Sequence, residues 1–110
     1  MTTDAPADAL RPLAELDRTL HEPGRLLIMA FLWVVKSADF LFLLRQTGLT
    51  RGNLSISLTK LEEAGFVIIK KEFVDKVPRT LIRLSARGRN AIQSYRKQMQ
   101  QVIDGLSITP

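Results

Sequence analysis

Thr50, Asn53, Ser55, Ser57 and Thr59 place short hydroxyl and amide side chains within ten residues, with Arg51, Ile56 and Lys60 among them. Each polar group can donate or accept a hydrogen bond without the reach of a long side chain. Downstream, residues 70–89 carry Lys70, Lys71, Lys76, Arg79, Arg83, Arg87 and Arg89 against only Glu72 and Asp75. Short polar groups on a helix fit a major groove about 12 Å wide, and clustered cations fit a phosphate backbone. The chemistry implied is hydrogen bonding to base edges together with neutralisation of phosphates. Asn53 can read an adenine edge or a phosphate, and Ile56 can meet a thymine methyl. Thr50 and Arg51 stand where a helix begins and backbone N–H groups favour an anion. The expected DNA contacts are therefore Thr50, Arg51, Asn53, Ser55, Ile56, Ser57, Thr59 and Lys60, joined by Lys76, Arg79 and Arg83.

Other chemistries have little to work with. The chain has no Cys and a single His, so thiolate nucleophiles, disulfides and Cys-based metal sites are excluded. His21, alone between two expected helices, is read as a surface residue. The carboxylates form no acid–base pair that the sequence places in a pocket. The expectation is a protein that is not an enzyme, with no metal and no cofactor.

These side chains need a scaffold. Leu54, Leu58 and Leu61 lie within about 60° of one another on a helix turning about 100° per residue, so a helix over about 50–64 is anchored from behind along one narrow seam. Ahead of it, Asp39 is a fitting N-cap for a short apolar helix over 40–47. Gly48 supplies the left-handed residue that ends that helix. Behind it, Gly65 stops the recognition helix. Residues 66–73 and 79–84 then read as two strands around an Asp75–Pro78 turn, a basic hairpin over about 66–84. Upstream, Leu13, Leu16 and Leu20 recur at helical spacing from near Pro12. A second helix over Pro23–Val35 is apolar nearly all round, and is expected at the centre of the fold with Phe31 and Trp33 as bulk. Ser85 opens a long last helix to about Asp104, with Ile92, Tyr95, Met99, Val102, Ile103 and Leu106 along one stripe.

The run Phe40-x-x-Leu43-x-x-x-Thr47-Gly48-Leu49-Thr50-x-Gly52-Asn53-Leu54-Ser55-x-x-Leu58-x-Lys60-Leu61-Glu62-Glu63-Ala64-Gly65-Phe66-Val67, followed by Pro78-Arg79-Thr80 and Leu84-Ser85-x-x-Gly88-Arg89, resembles the compact single-domain winged helix-turn-helix transcriptional regulators. These are related to the multiple-antibiotic-resistance (MarR) and arsenical-resistance (ArsR) regulator superfamily. The resemblance covers about residues 13–104. It implies a mainly α, α+β winged-helix fold with a two-stranded wing and long terminal helices. It also implies a prokaryotic, homodimeric repressor or activator, with recognition helices in successive major grooves and wings on the flanking backbone or minor groove. The terminal helices would form the dimer interface through Leu13, Leu16, Leu20, Ile92, Tyr95, Met99, Val102, Ile103 and Leu106. Two departures stand out: Ile56 occupies a position often polar or basic in such regulators, and the wing turn has fewer Gly and Arg residues.

Bulk properties agree with this reading. With 110 residues and 45% hydrophobic content, the chain suits one domain with a modest core: residues 1–11 as a frayed lead-in and 12–106 as the winged-helix domain. The net charge of +5 favours polyanionic partners. Residues 1–22 are net acidic, so the excess of cations belongs to the body of the domain. The longest apolar run, Leu26–Val35, is half the length a membrane span needs, and a cytoplasmic protein is expected. The alternative is a winged helix used as a protein-interaction or assembly module without DNA binding. The operator, the sign of regulation and any small-molecule effector are not written in the sequence.

Overall fold

A computed structural model describes residues 10–106. The chain is helical over 10–14 (α1), passes through turns to residue 22, and continues as α2 (Pro23–Val35), β1 (Ser37–Asp39), α3 (Phe40–Thr47), α4 (Arg51–Glu63), β2 (Val67–Val74), β3 (Val77–Leu84) and α5 (Ala86–Gly105). The fold is mainly α with one antiparallel sheet in the order β1-β3-β2. The lead-in expected over 1–11 lies outside the described residues up to residue 9, while residues 10 and 11 already belong to α1.

The first helix is shorter than its leucine spacing predicts. Asp17 accepts from the amides of Thr19 (2.8 Å) and Leu20 (3.3 Å), a local turn that competes with continued helix. Leu16 and Leu20 therefore reach the core from turns and not from a helical stripe. Glu22 then opens α2: its carboxylate accepts from the amides of Gly24 (2.9 Å) and Arg25 (2.8 Å), with Pro23 at the first helical position.

Helix α2 supplies one buried face and not the all-round core expected of it. Ile28, Met29 and Leu32 are fully buried, whereas Leu27, Trp33, Val34 and Val35 are exposed. Phe31 is half-buried against the core. Trp33 lies under the Arg89 guanidinium, 5.7 Å from the ring centre, a cation–π contact between α2 and the first turn of α5.

The three-residue β1 was not expected. It follows Lys36, which takes a positive φ of 70° at the end of α2, and pairs Ser37–Asp39 with Leu81–Arg83. A strand this short shows no alternation that sequence could reveal. The hairpin turn is also tighter than predicted. Val74 pairs with Val77, so Asp75 and Lys76 alone form the turn, both at positive φ (52° and 67°), as a type I′ connection requires. Pro78 therefore sits inside β3, opposite Phe73. It is tolerated because β1 covers only residues 81–83 of β3, leaving the outer side of β3 free where Pro78 lacks its N–H.

Helix α5 docks through its first turn. Ser85 caps it by accepting from the Gly88 amide (2.9 Å) while donating to the Gly65 carbonyl (2.5 Å). A Cβ on Gly88 would lie 2.0 Å from the Phe66 carbonyl oxygen, so only glycine allows this approach. Along α5, Tyr95 and Val102 are buried, and Ile92 and Met99 pack partly against neighbours. This corrects the expected dimer surface. Leu16, Leu20, Tyr95 and Val102 are covered within the monomer, which leaves Leu13, Ile103 and Leu106 exposed. His21 is exposed but not idle: its Nδ1 lies 2.8 Å from the Tyr95 hydroxyl, and burial pushes the Tyr95 hydroxyl pKa up.

Gly88→Ala is expected to destabilise the domain by about 3 kcal/mol or more, because backbone must move to admit the methyl. Gly52→Ala, with nothing within 4 Å of the added atom, should be neutral or stabilising by up to about 1 kcal/mol. Urea unfolding of both variants checks the pair. A second expectation concerns acid. Partial burial pushes the Glu22 pKa up, but the amides of Arg25 and Gly24 and the charges of Arg25 and Lys60 outweigh it and hold the carboxyl below its usual value. A pKa depressed in the folded state means the contribution is present above the unfolded pKa and is lost as pH falls through the folded one. Glu22→Ala should therefore cost about 1 kcal/mol near neutral pH. Its gap from the parent protein should close on acidification below about pH 4.5, as read from unfolding curves at stepped pH.

Candidate nucleic-acid interface

Helix α4 is held from behind as its leucines predict. Leu54, Leu58 and Leu61 are buried, and Leu43 of α3 and Ile28, Met29 and Leu32 of α2 belong to the same core. Thr50 caps it by accepting from the Asn53 amide (3.1 Å), which leaves the Thr50 hydroxyl proton available to an acceptor. At the far end, Gly65 at φ 80° completes a Schellman motif: the Phe66 amide donates to Leu61 and the Gly65 amide to Glu62, both at 2.9 Å. The helix is thus fixed at both ends and along its back.

The outward face carries Arg51, Gly52, Asn53, Ser55, Ile56, Thr59 and Lys60, all exposed. Ile56 is 58% exposed and central to this face, one turn from Gly52 on one side and Lys60 on the other. With no side chain at Gly52, the surface beside Ile56 is flat, which suits close approach to a base edge or methyl. The Thr59 hydroxyl donates to the Ser55 carbonyl (3.0 Å), so it can only accept from a ligand. Asn53 and Ile56 also border a hollow shared with Pro23 and Gly24 at the start of α2.

Ser57 does not belong to this face. It is only 8% exposed, and its spacing explains why: three residues after Leu54 and four before Leu61, it falls on the leucine seam. Its small side chain lines the hollow beside Glu22, Pro23 and Gly24. The position is legible from the leucine period, which outweighs the polar residue type.

The wing residues separate into tip and root. A cleft of about 490 Å³ runs between the wing, the start of α3 and the first turn of α4, lined by Asp39, Phe40, Leu41, Arg51, Val77, Arg79 and Thr80 among others. It brings Arg51 and Arg79 to one place from different elements. Arg79 is also anchored, its Nη2 donating to Asp39 Oδ2 at 3.5 Å, while Asp39 Oδ1 accepts from the Phe42 amide at 2.7 Å to cap α3. One carboxylate thereby ties the wing to the helix-turn-helix, a role for Asp39 beyond the capping that sequence suggested. Lys76 stands exposed in the turn. Arg83 is exposed at the root, paired with Ser37 and Ile68, about 13 Å along the strand from Arg79. Arg18 and Arg25, which sequence reasoning did not single out, line a shallow hollow with Lys60. Arg25 is engaged there, its Nε donating to the Thr19 carbonyl at 2.6 Å. Among the described residues, no cluster of His, Asp and Glu is arranged to hold a metal, and no helix is long and apolar enough to cross a membrane.

Residues 25–103 match the winged helix DNA-binding domain family. An uncharacterized protein of Methanocaldococcus jannaschii is 36% identical over 78 residues, 71% of this chain and 85% of that protein. Among solved structures, a transcriptional regulator homologue protein from Pyrococcus horikoshii OT3 superposes with a TM-score of 0.79 at 28% identity, covering 96% of this chain and 100% of its own. A MarR-family transcriptional regulator from Silicibacter pomeroyi gives 0.59 at 17% identity, covering 96% and 69%; that likeness is one of fold.

Ser57→Lys is expected to destabilise the domain by about 1 kcal/mol or more, because a long charged side chain replaces a small one on the buried leucine seam. Ser55→Lys, two residues away on the open face, should stay within about 0.5 kcal/mol of the parent. Equal unfolding midpoints for the two would contradict the assignment of Ser57 to the core side.

Proposed function

Since the chain belongs to the winged helix DNA-binding domain family, with a MarR-like fold, we propose that it regulates transcription as a homodimer that binds duplex DNA sequence-specifically. In this reading α4 enters the major groove, and the β2–β3 wing lies on the flanking backbone or in the minor groove. The observation that carries it is the pairing of a back-anchored helix, open and polar in front, with a basic wing, the two meeting at Arg51 and Arg79. A solvated face on an ordinary helix needs neither the anchoring at both ends nor the adjoining cations.

The roles divide by chemistry. Arg51, Lys60 and Lys76 neutralise phosphates and supply most of the affinity. Asn53 and Ser55 offer hydrogen bonds to base edges, and Ile56 offers an apolar contact that distinguishes thymine by its methyl. Thr50 sets the helix start and can donate to a phosphate. Arg79, held by Asp39, acts chiefly by positioning the wing. The dimer reading is supported by Leu13 and Leu106, apolar residues exposed near the two ends of the described chain, and by the length of α5, about 30 Å for its 20 residues. Two copies related by a two-fold axis would present their α4 helices to successive major grooves.

Binding to a random duplex should weaken steeply with salt, and Lys60→Ala and Lys76→Ala should each reduce the slope of log K against log salt by about 1. Asn53→Ala should keep the slope and relax the sequence preference recovered from a random DNA pool. Full affinity in an Asn53, Lys60, Lys76 triple alanine variant would refute this assignment of roles. No binding at low salt would favour a protein-interaction module instead. Sedimentation at micromolar concentration should show a dimer, and a clean monomer there would refute the homodimer.

A further inference from the structure

The wing tip carries an apolar side chain that the fold does not use. Phe73 is 76% exposed, the most exposed of the large hydrophobic residues described. It shares a sheet face with Val67, Ile69 and Lys71 of β2 and with Leu84, Ile82, Thr80 and Pro78 across the ladder. That face is core at Val67, Leu84 and Ile82, and leaves the core by Lys71. Phe73 is about 13 Å farther along the strand than Ile69, beyond any partner in the domain body. It is nonetheless held firmly. It lies directly opposite Pro78, whose ring fixes its own backbone, two residues from a turn with both central residues in the left-handed region.

The surroundings say what this side chain meets. Lys70 pairs with Glu72 at 3.9 Å and Arg79 with Asp39 at 3.5 Å. Among the described residues, Lys71 and Lys76, which flank Phe73 in sequence, form no ion pair. Asp75 adds one exposed carboxylate to the turn, and Val74 and Val77 add apolar surface on the opposite sheet face. The tip is thus an exposed aromatic ring with two lysines against one free carboxylate, which suits a polyanion with apolar surface inside its charged rim. Duplex DNA has that character in its minor groove, where apolar side chains can wedge between base steps and kink the helix by about 20–90°. A protein partner would more often be met by a flat apolar patch depleted of lysine.

We propose that Phe73 is an apolar wedge that the wing inserts into the minor groove, kinking the duplex and favouring pyrimidine–purine steps. These steps unstack at the lowest cost, so the wing would read deformability while α4 reads base edges. This rests on the DNA-binding reading above and adds a residue outside the set assigned from sequence.

The test compares the full chain and Phe73→Ala on two duplexes of about 30 base pairs, an alternating dA-dT duplex and a dA·dT homopolymer. Both have the same base composition, but only the first contains TA steps. Fluorophores at the duplex ends report bending. The parent chain should bend the alternating duplex and prefer it to the homopolymer. Phe73→Ala should lose the bend and the preference, with affinity for the alternating duplex down about tenfold. Its salt dependence should be unchanged, because no phosphate contact is removed. Phe73→Trp, which keeps a large planar ring, should retain the bend. Binding by the parent without bending, or a Phe73→Ala variant that bends DNA as the parent does, would overturn the wedge and leave the DNA-binding reading intact. A shift in sedimentation on Phe73→Ala would likewise overturn it, making the tip a contact between copies. Failure of the parent to bind either duplex at low salt would remove both readings.

Discussion

The close approach of Gly88 to the Phe66 carbonyl is the constraint on which the rest of the structure hangs. Four elements meet at this joint. Helix α4 ends there through Gly65, β2 begins at Val67, β3 ends at Leu84 opposite Val67, and α5 starts from Ser85. The Phe66 carbonyl also accepts from the Ser85 amide at 3.0 Å, and the Phe66 amide donates back to Leu61. The backbone groups on both sides of Phe66 are thus committed, one to α4 and one to the start of α5. A methyl on Gly88 would separate these elements together. The angle between α4 and the wing is therefore set by backbone contacts remote from the outward face of α4 and from the wing tip.

A second tie works from the opposite side of the wing. Asp39 caps α3 with one oxygen and holds Arg79 with the other. The ion pair is partly exposed, and alone it would contribute little to stability. Its value is geometric. The first helix of the helix-turn-helix and the distal half of β3 share one carboxylate, which favours one placement of the wing relative to the N-terminus of α3. The Phe66 joint fixes the root of the wing, and Asp39 restrains its outer half. A hairpin held at two points can carry a side chain at its tip to a defined place.

Much of this was legible in the sequence because it follows from local rules. Breakers, caps and the period of the leucines place Pro23 and Val35, Phe40 and Thr47, and the start of α4 near Thr50, which the structure makes its cap. The misses have specific physical causes. β1 is a strand only because β3 lies beside it, and three residues carry no pattern of their own. Asp17 ended α1 with a side-chain turn inside a run of helical spacing. The sequence suggests a four-residue wing turn over Asp75–Pro78, whereas the free side of β3 lets Pro78 stay in the strand. Ser57 resembles the open face in residue type, but its periodicity puts it on the leucine seam. Leu16, Leu20, Tyr95 and Val102 fitted an interface stripe, but sequence cannot say which of two apolar surfaces a stripe covers, and the monomer covers these.

The two side chains that fit least well with a basic, polar reading surface are Ile56 and Phe73. They share a property that the cations lack. An attraction to phosphate is almost independent of base sequence and fades with salt, so it can bring the protein to DNA but cannot select a site. An apolar contact is local, insensitive to salt, and dependent on a methyl group or an openable step lying opposite. Ile56 stands at the centre of the α4 face beside the bare backbone of Gly52, and Phe73 stands at the wing tip between lysines. In the proposed reading, the charged neighbours would supply proximity in both places, and the apolar group would add the discrimination they lack. An apolar residue at the middle of a charged interface is then the element that makes long-range attraction selective, provided the helix and the hairpin that carry it are as firmly held as the Phe66 joint and Asp39 hold them.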